Sequence, residues 1–241
     1  MENIVTENKH KNATKFGKLP STISLMVREP GSAFTHGFAL LMCLIGSSPL
    51  LMRADLYGSS YTVAGMWIFI ISACMLYSAS TIYHSVVLDE KKTNMLRKFD
   101  HMSISILIAG TYTPICLTVM RDSYGIPMLI AIWSLAIIGI VIKGFWITCP
   151  TWVSSVLYLG MGWLCITFLP ALVSRISPQA FAWLLTGGIS YSVGAIIYAL
   201  KLDKFNSRHI YFGSHEIFHL FIMGGTFCHY MMLNNYIIYF G

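Results

Sequence analysis

The stretch Ser214-His215-Glu216-Ile217-Phe218-His219 is the part of this sequence best equipped for chemistry. His215 and His219 stand four apart. On an α-helix that spacing puts both imidazoles on one face, one turn apart, with Cβ atoms about 5–6 Å from each other. Two imidazoles so placed can share one zinc ion at about 2.0–2.1 Å. His84, which closes Ser80-Thr81-Ile82-Tyr83-His84, is the third candidate ligand. Three neutral imidazoles leave one tetrahedral position open, the coordination of catalytic zinc; structural zinc is normally closed by four protein ligands. Water in such a position is acidified toward a pKa of about 7. Asp100 is the candidate general base, and Ser80, one turn before His84, can orient a ligand or donate to a developing oxyanion.

Each residue also has a plainer reading. His215 and Glu216 near a helix start can simply be interfacial or capping groups. Asp100 can complement a helix dipole. Ser80 can be a small packing residue that lets helices approach. His36 and His101 read as supporting or structural, and His229 as a hydrogen-bonded core histidine. Chance alone often produces two histidines four apart. What strengthens the metal reading is convergence, which depends on the elements that carry these residues.

Those elements belong to a membrane protein. Of 241 residues 56% are hydrophobic and 11% charged, with a mean hydropathy of +0.65; soluble domains carry about 25% charged residues. Seven apolar segments, 35–52, 62–88, 102–120, 125–142, 152–173, 181–200 and 216–240, are each near the roughly 17–25 residues a bilayer core requires. The expected fold is an all-α membrane protein with seven transmembrane helices over 35–241. Residues 1–21 are expected to form a disordered polar tail, and 22–34 an interfacial segment. The first 30 residues show no signal-peptide pattern, so insertion should rely on the first span. Pro127, Pro150 and Pro178 fall at or near helix starts, whereas Pro114 lies inside the third span and should kink it.

Of the 16 basic residues, 13 fall in the first tail and in the loops after spans two, four and six, Lys143 among them. The positive-inside rule then puts the N-terminus in the cytoplasm and, with seven spans, the C-terminus outside. A conventional G-protein-coupled receptor would be oriented the other way. The same rule accounts for a pI near 9 without a nucleic-acid partner. The six cysteines form no C-x-x-C pair and read as reduced packing residues. On this map His36, His84, Asp100, His101, His215, Glu216 and His219 all sit at cytoplasmic ends of spans. Only His229 is deep, about 15 Å beyond His219 at 1.5 Å per residue. Ionisable groups in a bilayer are costly and usually functional, so their convergence at one depth argues for a site.

With these residues in place the chain resembles the hemolysin III family, the bacterial branch of the progestin and adipoQ receptor family. The resemblance rests on Ser80-Thr81-Ile82-Tyr83-His84, Leu96-Arg97-Lys98-Phe99-Asp100-His101, Ile108-Ala109-Gly110-Thr111-Tyr112-Thr113-Pro114, His215-Glu216-Ile217-Phe218-His219 and Thr35-His36-Gly37. It implies seven helices with a cytoplasmic N-terminus in the bacterial inner membrane, and zinc at His84, His215 and His219. It further implies that Ser80 is the motif serine and that Asp100 contacts zinc-bound water. Tyr112 and Glu216 take supporting or structural places.

The leading expectation is a zinc-dependent hydrolase of a lipid amide or ester, ceramidase-like, with a membrane lipid as substrate or ligand. Three other readings stay open: a membrane sensor with structural zinc, a pore or hemolysin, and a haem protein. Haem needs ligands on opposite faces of its ring, which His215 and His219 do not offer. No sustained polar stripe favours a pore. The sequence leaves the lipid and the oligomeric state open.

Overall fold

The computed structural model describes residues 27–200, 202–209 and 212–240. The regular structure among them is helical throughout. α1 spans Pro30–Tyr57, α2 Ser60–Ser85, α3 Glu90–Leu117 and α4 Gly125–Phe145. α5 (Thr151–Trp163) passes through a 3-10 stretch, Leu164–Phe168, into α6 (Leu169–Val173). Then follow α7 (Pro178–Leu200), the short α8 (Asp203–Asn206) and α9 (Ser214–Asn235), with a last 3-10 turn at Ile237–Tyr239. The expected tail, 1–21, lies outside the described residues, as do residues 22–26. α1 begins at Pro30, within the segment expected to be interfacial.

Local sequence fixes these helix starts. Pro30 opens α1, where a missing N–H costs nothing. Ser59 and Thr62 form a reciprocal capping box at α2, with Ser59 N–H donating to Thr62 Oγ1 at 3.1 Å. Asp89 caps α3 by accepting from Lys92 N–H at 2.9 Å. Pro150 and Pro178 stand at the starts of α5 and α7. Pro114 lies inside α3, which ends three residues later. Pro170 explains the break between α5 and α6: it withholds an N–H, its ring crowds the preceding turn, and the chain tightens to 3-10 geometry.

Five helical stretches are long and apolar enough to cross a bilayer: Pro30–Tyr57, Ser60–Ser85, Gly125–Phe145, Thr151–Val173 and Pro178–Leu200. α3 and α9, with 28 and 22 residues, have spanning length but carry more polar side chains. Large apolar residues such as Phe34, Ile45, Ile71, Ile130, Val156 and Phe227 point outward, while Thr35, Ser80, His84, Asp100, His219 and His229 are buried. That inversion of the soluble pattern is what a lipid solvent selects. The cysteines in the described residues are free.

Helices neighbour one another nearly in chain order, α1 on α2, α2 on α3, α3 on α4, α5 on α7 and α7 on α9, and α9 returns against α1. The ring therefore brings the end of α2 and the start of α9 together beside the start of α1. Lys143 departs from its expected role as a loop charge. It is 1% exposed, with Nζ 3.2 Å from Cys149 Sγ and hydrogen-bonded to Ser154 Oγ.

Candidate metal centre

Two caps and a tether set the start of α9. Gly213 N–H donates to Glu216 Oε2 at 2.7 Å, and Ser214 N–H to Asn206 Oδ1 at 2.7 Å. Gly213 is needed for this approach, because a Cβ there would lie 2.8 Å from Asn206 Oδ1. The other Glu216 oxygen, Oε1, accepts a hydrogen bond from Ser32 Oγ of α1. Glu216 is thus a cap and tether between helices. The first two turns of α9 then present His215 and His219 to His84, which ends α2.

These three histidines come together: one ligand atom from each lies within 4.8 Å of the others. His84 Nε2 is 3.3 Å from His215 Nε2, and the His215 and His219 ring centroids are 4.5 Å apart. His84 and His219 are buried. The outer nitrogens are held by residues the sequence reading did not single out for this role. His84 Nδ1 pairs with Glu29 Oε2. Burial pushes the Glu29 carboxyl up, but its hydrogen bond to His84 and the neighbouring Arg28 guanidinium act the other way, and the carboxyl lies below its usual range. Glu29 is therefore an acceptor, and the His84 Nδ1 proton belongs in that bond. Thr35 Oγ1 lies 3.0 Å from His219 Nδ1 and gives its own proton to the Ser32 carbonyl at 3.0 Å. It too accepts from the ring.

This network assigns both protons to Nδ1 and turns the Nε2 lone pairs of His84 and His219 to the inside. A proton on one imidazole satisfies at most one close pair, whereas a cation shared by three lone pairs satisfies all of them. The donor set fits a metal that favours imidazole, such as zinc, copper, iron or nickel.

The remaining predicted residues fall into distinct places. Asp100 is buried on α3, within electrostatic reach of Ser80 and His84. His101 Nδ1 donates to the Arg97 carbonyl at 2.9 Å, and its Nε2 is 3.4 Å from Tyr198 Oη, so both its nitrogens have partners outside the trio. His36 stacks on His219, with centroids 3.5 Å apart and planes at 11°. Tyr112 Oη donates to the Gly162 carbonyl at 2.6 Å and accepts from Cys165 N–H at 3.0 Å, bracing the α5 break. His229 is deep, near Tyr191.

A cavity of about 160 Å³ leads inward from the trio. Its polar end includes His36, Asp100, His101, His215 and His219, and its walls include Leu107, Ile108, Leu159, Phe181 and Leu184. Of the residues missed, Glu29 and Ser32 share a helical face with His36 by their spacing, the only sequence signal that could have found Glu29.

Fold and site together define a multi-pass helical membrane protein with a histidine cluster at the mouth of an apolar cavity. The profile of the family described as Haemolysin-III related matches residues 25–230, and the chain belongs to that family. It is similar to the Hemolysin-3 homolog of Bacillus subtilis (strain 168), 37% identical over 198 residues that cover 82% of this chain and 89% of the relative. It is also similar to Hemolysin-3 of Bacillus cereus, 34% identical over 209 residues covering 87% and 91% of the two chains. Monocyte to macrophage differentiation factor of Homo sapiens is a more distant relative, 27% identical over 215 residues covering 86% and 83%. That likeness links the chain to the progestin and adipoQ receptor family. With bacterial relatives and several apolar helices, the protein is a multi-pass protein of the bacterial inner membrane.

Proposed function

We propose that the protein is an integral-membrane, zinc-dependent hydrolase acting on an amide or ester bond of a membrane lipid. The observation that carries this reading is the meeting of three imidazole nitrogens beside the polar end of an apolar cavity that the buried Asp100 also lines. His84, His215 and His219 hold the ion. Zinc held there would polarise a carbonyl and make water more acidic. Glu29 and Thr35 keep the Nδ1 protons of His84 and His219 and so aim Nε2 inward. Asp100 takes the proton of the attacking water on its carboxylate and returns it to the leaving group; Ser80 Oγ donates to the substrate oxygen. The apolar wall takes up the acyl chain and excludes bulk water.

In this reading all seven long helices, α5 and α6 counting as one, cross the bilayer. The N-terminus is cytoplasmic and the site lies near the inner leaflet. The test is metal analysis of detergent-purified protein together with lipid turnover. About one zinc per chain, little in a His84→Ala, His215→Ala, His219→Ala variant, and zinc-dependent release of fatty acid by the parent are expected. A folded parent prepared without chelators that held no metal would overturn the site. Zinc without turnover of any lipid amide or ester would leave a structural metal and a sensor.

The name hemolysin, carried by both Bacillus relatives, supports a second reading as a membrane-lysing protein. Its test is dye leakage from liposomes on addition of the protein. Among the described residues the outward faces are apolar and supply no polar stripe for a channel, so no leakage is expected.

A further inference from the structure

Ten residues beyond His219 on α9, about 15 Å deeper at 1.5 Å per residue, His229 lines the far part of the same cavity. It is 4% exposed, and its Nδ1 is buried with no hydrogen-bond partner. Nearby hydroxyls are already committed. Tyr77 Oη donates to Thr226 Oγ1 at 2.8 Å, Tyr191 Oη lies 2.9 Å from the same oxygen, and Thr226 donates to the Ile222 carbonyl at 3.0 Å. At that depth His229 Nδ1 is the buried side-chain nitrogen without a partner among the described residues. Gly187 gives the ring its space, since a Cβ there would lie 2.8 Å from His229 Nε2.

A buried imidazole without a partner is costly, and its surroundings offer a bridging water few of the two to four polar partners it needs. A neutral imidazole has one donor and one acceptor, which a single hydroxyl answers in both roles. The distance from the histidine trio falls near the middle of a long acyl chain. We propose that His229 is a specificity residue that recognises a hydroxyl midway along the chain of the lipid in this cavity. The proposal rests on the lipid reading of the histidine site and adds its substrate class: chain-hydroxylated acyl lipids.

The experiment compares binding of octadecanoic acid and of the same acid with a mid-chain hydroxyl to the purified, zinc-loaded full chain, by competition against a labelled fatty acid. The parent should prefer the hydroxylated acid by about fivefold, the effect of one net hydrogen bond. His229→Phe should abolish that preference while leaving affinity for the plain acid within about twofold. Gly187→Ala, which displaces the ring without removing it, should weaken the preference and gives a second readout if His229→Phe does not fold. Equal affinity of the parent for both acids, or a preference that survives both substitutions, would overturn the role of His229 and leave the hydrolase reading intact. Binding of neither acid would overturn both.

Discussion

At the scale of single residues, the histidine trio depends on groups behind its rings. Glu29 and Thr35 fix the His84 and His219 rings from behind, and losing such a partner typically costs 10–100-fold in metal affinity. Glu29→Gln should therefore weaken zinc binding by about that factor in a chelator-competition titration, with the melting temperature of metal-free protein little changed. Thr35→Val should act in the same direction. Unchanged affinity in both would mean that the rings are held by packing alone. Lys143 calls for the opposite expectation. It is buried against Ser154 and Cys149 with no carboxylate among its hydrogen-bond and ion-pair partners in the described residues, so Lys143→Met should leave stability in detergent unchanged or raised. The trio itself was legible because two of its members sit four apart on one helix and the third ends an apolar segment. Glu29 was not, because it lies 55 positions from its partner, ahead of the first span, and looks like an ordinary interfacial charge.

At the scale of elements, α2 and α3 meet through a glycine. A Cβ at Gly65 would lie 2.8 Å from Pro114 Cα, a backbone atom that cannot swing aside. Gly65→Ala should destabilise the protein by about 1–3 kcal/mol in detergent unfolding, as overpacking does. Gly160→Ala, where a Cβ meets nothing within 4 Å, should be neutral or better. Equal effects at the two positions would remove the close crossing as an explanation. The apolar segments were readable from hydropathy, and helix starts from Pro127, Pro150 and Pro178. The length of α3 was less so. Its first turns carry Glu90, Lys91, Lys92, Arg97 and Lys98, which hydropathy assigns to a loop, yet Asp89 caps a helix there that projects beyond the apolar stretch. The α5 break at Pro170 was hidden in an unbroken apolar run.

At the scale of the whole molecule, the return of α9 against α1 makes residues from both ends of the sequence contribute to one site. With seven crossings this requires the termini to lie on opposite sides of the membrane. A C-terminal alkaline phosphatase fusion should therefore be active in the periplasm, while the same reporter on the N-terminus should be silent. Activity at both ends or at neither would reduce the crossings to an even number and move the trio relative to the charged loops. Which helices neighbour one another is a consequence of packing, and no single segment of sequence carries it.

The first described residues are fastened beside the histidine trio by their backbone. Arg28 N–H donates to the Ser85 carbonyl at 3.3 Å and Glu29 N–H to the His84 carbonyl at 2.9 Å, and Ser32 and Thr35 reach α9 one turn later. The point at which the described chain begins is therefore joined directly to the frame around the histidines. Metal content compared between N-terminally and C-terminally tagged protein is expected to be lower with the N-terminal tag, and equal content would show that this junction does not transmit to the histidines.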